Sequence, residues 1–163
     1  MKKVFNHSRE VLLTCSILLL SFVIMSGDCN KDDDNPTDPN VYNLAGNGNS
    51  AQENNPANTS PGTGTLTGTY NKSTNKLVYN INWTGLTGTA AALHFHGPAL
   101  AGVNAGVAVP LTITNSAATG GASGEVTITE PQEADLLAGK WYWNVHTAAF
   151  AAGEVRGQVA ATQ

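Results

Sequence analysis

Thr65-Leu66-Thr67-Gly68-Thr69-Tyr70-Asn71-Lys72-Ser73-Thr74-Asn75-Lys76-Leu77-Val78-Tyr79-Asn80-Ile81-Asn82-Trp83 decides the fold. An extended strand sends successive side chains to opposite faces. Leu66 and Tyr70 therefore lie opposite Thr65, Thr67 and Thr69, and Leu77, Tyr79, Ile81 and Trp83 lie opposite Val78, Asn80 and Asn82. Asn71 to Asn75 separates the two runs with turn-forming residues. The stretch predicts a β-hairpin with one apolar face.

The same period of two recurs along the chain. Val107, Val109, Leu111 and Ile113 alternate with Thr112 and Thr114, and Val126 and Ile128 alternate with Glu125, Thr127 and Thr129. Further strands are predicted near Val41 to Ala45, at Trp141 to His146 and at Glu154 to Val159. Pro110 cannot donate a ladder bond, which places its strand at an edge or a bulge. One helix interrupts the pattern. Thr129 with Gln132 forms a capping box; Ala134, Leu136 and Leu137 supply an apolar stripe, and Gly139 ends it. About eight short strands between Gly and Asn turns predict an all-β fold, an antiparallel β-sandwich with one short helix.

Three histidines fall on two of these strands. In Leu93-His94-Phe95-His96-Gly97 the two imidazoles share one face, and Leu93 and Phe95 share the other. In Trp141-Tyr142-Trp143-Asn144-Val145-His146, the Trp141, Trp143 and Val145 set opposes Tyr142, Asn144 and His146. The apolar sets belong to the core, which leaves His94, His96 and His146 on the polar face. Two histidines two apart on a strand have Cα atoms about 6.5–7 Å apart, compatible with joint ligation of one ion. If the two strands are neighbours, His146 is a third ligand, and imidazole suits copper and zinc. The competing reading is a hydrogen-bonded network of Asn144, Glu154 and Arg156 with the imidazoles. In it Glu154 accepts from an imidazole or pairs with Arg156, and the cluster holds strand register. Trp83, Trp141 and Trp143 read as core residues, not a carbohydrate platform.

The N-terminus reads as an export signal. Lys2, Lys3 and Arg9 precede an apolar run from Val11 to Met25, too short for the roughly 20 residues of a membrane-spanning helix. Ser26-Gly27-Asp28-Cys29 resembles a bacterial lipobox, with Cys29 as the lipidated residue; Asp28 departs from the usual small residue there. Residues 1–28 are thus a lipoprotein-type signal peptide, 29–40 a flexible acidic linker and 41–163 the folded domain. The acidic run Asp32 to Asp34 resembles the surface-export signal of some Gram-negative lipoproteins. Cys15 lies within the signal, so the mature domain has no cysteine pair and folds without a disulfide.

Residues 41–163 carry four basic and six acidic side chains. With no basic patch to neutralise phosphates, nucleic-acid binding is not expected. No phosphate-cradling loop, nucleophile elbow or Ser-His-Asp setting accompanies the strands.

His94-Phe95-His96-Gly97-Pro98-Ala99, Leu137-Ala138-Gly139, Asn144-Val145-His146-Thr147 and Gly153-Glu154-Val155-Arg156-Gly157-Gln158 together resemble the CHRD domain, named from chordin and widespread in bacterial secreted proteins. The resemblance spans roughly Val41 to Val159. The family commonly carries an acidic residue and paired prolines after its first strand; here Gln52-Glu53-Asn54-Asn55-Pro56 keeps the acid and one proline. The resemblance implies an immunoglobulin-like or superoxide-dismutase-like sandwich and no agreed activity. His-x-His on a strand is also similar to part of the copper site of Cu,Zn superoxide dismutase. That enzyme uses more histidines than this domain has, so dismutation is not expected.

The expectation is a non-enzymatic binding or structural module outside the cytoplasm, anchored to a membrane through Cys29, on the periplasmic side or cell surface. It would carry a mononuclear copper or zinc site at His94, His96 and His146 and meet a protein or glycan partner. The alternative is a metal-dependent oxidoreductase or hydrolase using the same histidines, since three histidines with an open position also describe catalytic zinc.

Overall fold

The computed structural model describes residues 38–54 and 58–163. The signal peptide, Cys29 and most of the linker lie outside the described residues. Asp38 to Asn40, assigned to the linker from sequence, are tied to the domain. Lys72 N–H donates to Asn40 C=O at 2.8 Å, and Val41 N–H to Asp38 C=O at 2.9 Å.

The predicted hairpin forms as β2 (Thr63–Asn71) and β3 (Lys76–Thr84), with Asn71 opposite Lys76. Asn75 closes its turn at φ +56°, a left-handed conformation that asparagine tolerates. Leu66, Tyr70, Leu77, Tyr79, Ile81 and Trp83 are all buried, as the alternation requires. The remaining strands are β1 (Val41–Asn49), β4 (Ala90–His96), β5 (Val107–Pro110), β6 (Gly120–Thr127), β7 (Tyr142–Thr147), β8 (Val155–Gln158) and β9 (Ala160–Thr162). Helix α1 spans Glu130–Leu137. Thr129 N–H donates to Gln132 Oε1 at 2.9 Å in its capping box, and Gly139 follows its end at φ +68°. Of the apolar stripe, only Leu136 is fully buried.

All pairings are antiparallel, and the order is β5-β4-β7-β8-β1-β2-β3-β6, with β9 also on β1. The all-β fold is therefore one continuous sheet that curls around a shared core rather than two separately bonded sheets. Its two halves meet where β8 pairs β1 at Asn49 and Arg156. β9 rejoins β1 at Asn43 to Ala45, so the ladder between these points is open. The Trp143 indole lies across this gap, against the backbone of Gly46, Gly48, Gly64 and Gly157.

Two sequence expectations change in detail. The strand predicted from Val107 to Ile113 ends at Pro110, whose ring nitrogen cannot donate to the ladder, although Leu111 N–H still reaches Leu93 O at 3.0 Å. Among the described residues it is an edge strand, paired only with β4. The predicted Glu154–Val159 strand begins at Val155 and is followed by a separate β9. Among the described residues no helix is long and apolar enough to cross a membrane.

Candidate metal centre

β4 and β7 are neighbours, the condition on which a histidine cluster depended. His94 stands opposite Asn144 and His96 opposite Tyr142. Leu93, Phe95, Trp143 and Val145 fill the core on one face, leaving the imidazoles on the other. One ring nitrogen from each of His94, His96 and His146 lies within 4.8 Å of the others. The His94 and His146 rings are 4.9 Å apart, His94 and His96 5.4 Å, and His96 and His146 6.3 Å, centroid to centroid.

Hydrogen bonding fixes the tautomers. A carbonyl only accepts, so the 3.0 Å contact of His146 Nδ1 with Ala151 O makes Nδ1 the protonated nitrogen. Neutral His146 therefore has a bare lone pair on Nε2. His94 Nδ1 lies 3.1 Å from that atom and donates to it. By the same reasoning His96 donates from Nδ1 to Ala105 O at 3.0 Å. Its Nε2 is buried without a partner among the described residues, an arrangement that native interiors rarely leave unfilled. Metal-bound histidines characteristically give their other N–H to such an acceptor. An ion about 2.1 Å from each nitrogen would hold the nitrogens roughly 3.4 Å apart in tetrahedral geometry, so a pair at the 4.8 Å limit would have to close by about 1.4 Å. Ligation through His94 Nδ1 would place that ring's proton on Nε2.

The cluster favours neutral rings. Burial pushes the His94 pKa below its ordinary value, and positive charge on His146 and then His96 pushes it further. His146 is lowered mainly by burial, opposed by its bond to Ala151 and reinforced by His96. Neutral imidazole is the ligating form. The shifts also set a sign. Stability from groups with depressed pKa is complete above their unfolded value near 6.5 and is lost as pH falls through the folded values. Metal-free protein should therefore melt at progressively lower temperature below about pH 6.5, and a His94→Gln/His146→Gln variant should lose that part of the slope.

The polar residues predicted around the imidazoles make different contacts from those expected. Glu154, wholly buried, bonds neither an imidazole nor Arg156. Its Oε1 accepts from Ser60 Oγ (2.5 Å) and Thr87 N–H (2.7 Å), and its Oε2 from Thr87 Oγ1 (3.0 Å) and Thr147 Oγ1 (2.5 Å). Arg156 donates to Asn104 Oδ1 (2.9 Å) and Val103 O (2.7 Å). Its guanidinium sits 3.4 Å from the Tyr142 ring centroid, and Tyr142 stacks on His96 at 4.8 Å with 3° between planes. Asn144 donates to Glu53 Oε1 at 3.4 Å, while its own Oδ1 has no partner among the described residues. Burial raises the Glu53 pKa, against the lowering effects of Asn144 and Arg156. Glu125 lies on β6 paired with Lys76 at 2.6 Å, away from the imidazoles.

Glu53, Tyr142 and the backbone of residues 103–105 and 151 were not recognised as part of this centre from sequence. Glu53 had a signal, as the acid following the first strand, and Tyr142 shares its strand face with His146. The loop carbonyls had none. The family model of the CHRD domain matches residues 45–159. No curated protein and no solved structure matches the chain.

Proposed function

Because this chain belongs to the CHRD domain family, we propose that it serves outside the cytoplasm as a lipid-anchored binding or structural module holding one copper or zinc ion at His94, His96 and His146. The family supports a binding or structural role. The observation that carries the metal is the pair of lone-pair nitrogens on His96 and His146, each aimed by a backbone carbonyl on the opposite side of its ring. Neutral imidazoles without a carboxylate among them suit copper and zinc over magnesium or calcium. Cys29 supplies the anchor in this reading and residues 29–40 the tether, and the partner is a protein or glycan.

Calorimetry of the full chain in detergent, titrated with Cu²⁺ and with Zn²⁺, tests the site. One-to-one binding should weaken by more than about 100-fold in His94→Ala/His96→Ala, because two ligands and the geometry they impose are lost. Absence of saturable binding in the unsubstituted chain would leave the trio as a register-holding network. Mass spectrometry of the mature N-terminus tests the anchor. It should find Cys29 first and acylated; an unmodified residue ahead of Cys29 removes the lipid and leaves export alone.

A further inference from the structure

The loop between β4 and β5 crosses the polar face of the site, and side chains from three strands fasten it there. His96 of β4 donates to Ala105 O at 3.0 Å. Tyr142 of β7 accepts from Ala105 N–H at 3.2 Å and donates to Ala105 O at 3.3 Å. Arg156 of β8 holds Val103 O and Asn104 Oδ1. His96, Tyr142 and Arg156 are themselves stacked in sequence. The ends of the loop are pinned separately, by Ala99 N–H to Lys140 O (2.8 Å), Gln158 Nε2 to Ala99 O (2.9 Å) and Gly97 N–H to Gly106 O (3.3 Å). Asn54 Nδ2 donates to Gly102 O. Between the pinned ends residues 100–104 are exposed, Leu100 at 61% and Val103 at 54%. Gly102 adopts φ +77°.

We propose that residues 99–106 form a strap whose order and the metal affinity of His94, His96 and His146 are coupled, with Tyr142, Arg156 and Asn104 as positioning residues. This rests on the metal reading above. A cation on His96 Nε2 withdraws charge from the ring and makes Nδ1–H a stronger donor to Ala105 O. The metal therefore tightens the strap through Ala105. Linkage requires the reverse as well: whatever holds Val103 to Ala105 in place raises affinity for the metal. Tyr142 acts on Ala105 and on the plane of the His96 ring. Asn104 acts one step further out, by fixing where the Arg156 guanidinium lies. None of the three is a ligand.

The test uses the full chain in detergent with Zn²⁺ as the probe. Hydrogen exchange should slow at amides 99–106 on zinc loading and stay unchanged in the hairpin turn at 72–75. Tyr142→Phe and Asn104→Ala should each weaken zinc by about tenfold, the usual size of an outer-sphere effect, with three ligands still present. Asn104→Asp, which keeps the acceptor, should retain the affinity of the unsubstituted chain. Asn104 is exposed, so its variants remain informative should Tyr142→Phe fold poorly. Zinc binding with unchanged exchange at 99–106, or with full affinity in Asn104→Ala, overturns the coupling and leaves the metal site standing. No zinc binding in the unsubstituted chain overturns the metal reading and the strap together.

Discussion

Gly48→Ala should cost about 3 kcal/mol of stability, the upper range of overpacking in a closed core. A Cβ at Gly48 would fall 2.5 Å from both Cζ2 and Cη2 of Trp143 and 3.0 Å from Arg156 O. Trp143 is fully buried and cannot yield. On its other sides a Cβ at Gly157 would come within 2.6 Å of Nε1 and one at Gly64 within 2.8 Å of Cη2. The indole fills the opening between β8 and β1, so the glycines are required by close approach and not by their own dihedrals. Chemical denaturation of the variant beside Gly88→Ala provides the comparison. Nothing lies within 4 Å of a Cβ at Gly88, and that change should be neutral or slightly stabilising. Trp143→Phe should recover part of the loss in the Gly48→Ala background, giving costs that are less than additive. Equal stability of Gly48→Ala and Gly88→Ala would show that the indole does not occupy the gap.

Glu154→Ala should cost about 3 kcal/mol, because it strips the acceptor from buried donors that cost about 1–3 kcal/mol each when left unpaired. Four donors converge on this carboxylate, from Ser60, Thr87 and Thr147, and Thr87 N–H has no way to reverse its role. Glu154→Gln should cost only about 1 kcal/mol. Its amide oxygen can keep Thr87 N–H, and the hydroxyls of Thr87 and Thr147 can turn to accept from the amide nitrogen. The two variants separate hydrogen bonding from charge, and equal losses would mean that charge itself is required. Acid titration adds a sign. Burial alone would raise the Glu154 pKa, but the bonds from Ser60, Thr147 and Thr87 outweigh it and hold the carboxyl below its ordinary value of 4.5. Its stabilisation is therefore present above about pH 4.5 and lost as pH falls through the folded value. Glu53 has the opposite sign: its raised pKa makes it most favourable at low pH, and that share is lost as pH rises above 4.5.

Glu154 also shows where a face assignment stops. Alternation put it on the polar side with Arg156, which suggested that the two would pair. The backbone sends Arg156 to Val103 and Asn104 and surrounds Glu154 with hydroxyls from three other segments. Which partners meet on a shared face depends on how loops fold back over it, and loop paths leave no period in the sequence. Glu53 reached the centre in this way, although 91 residues separate it from Asn144.

The sequence by itself determined most of the strands, their faces and most of the inward set of aromatic and aliphatic side chains, although Val107, grouped with Val109, Leu111 and Ile113, is exposed. Those depend on a local period of two, which the hairpin at residues 65–83 displays without ambiguity. It also determined that His94 and His96 share the polar face and that the capped helix follows Thr129. Only the tertiary structure decided that β4 lies beside β7, bringing His94 to His146 across 52 residues. It alone decided that Trp143 closes a glycine-lined gap in one curled sheet, and that the carbonyls of Ala105 and Ala151 select the ring tautomers. Such pairings are set by the global minimum of burial and hydrogen bonding over distant segments, where no local pattern singles out one partner from another.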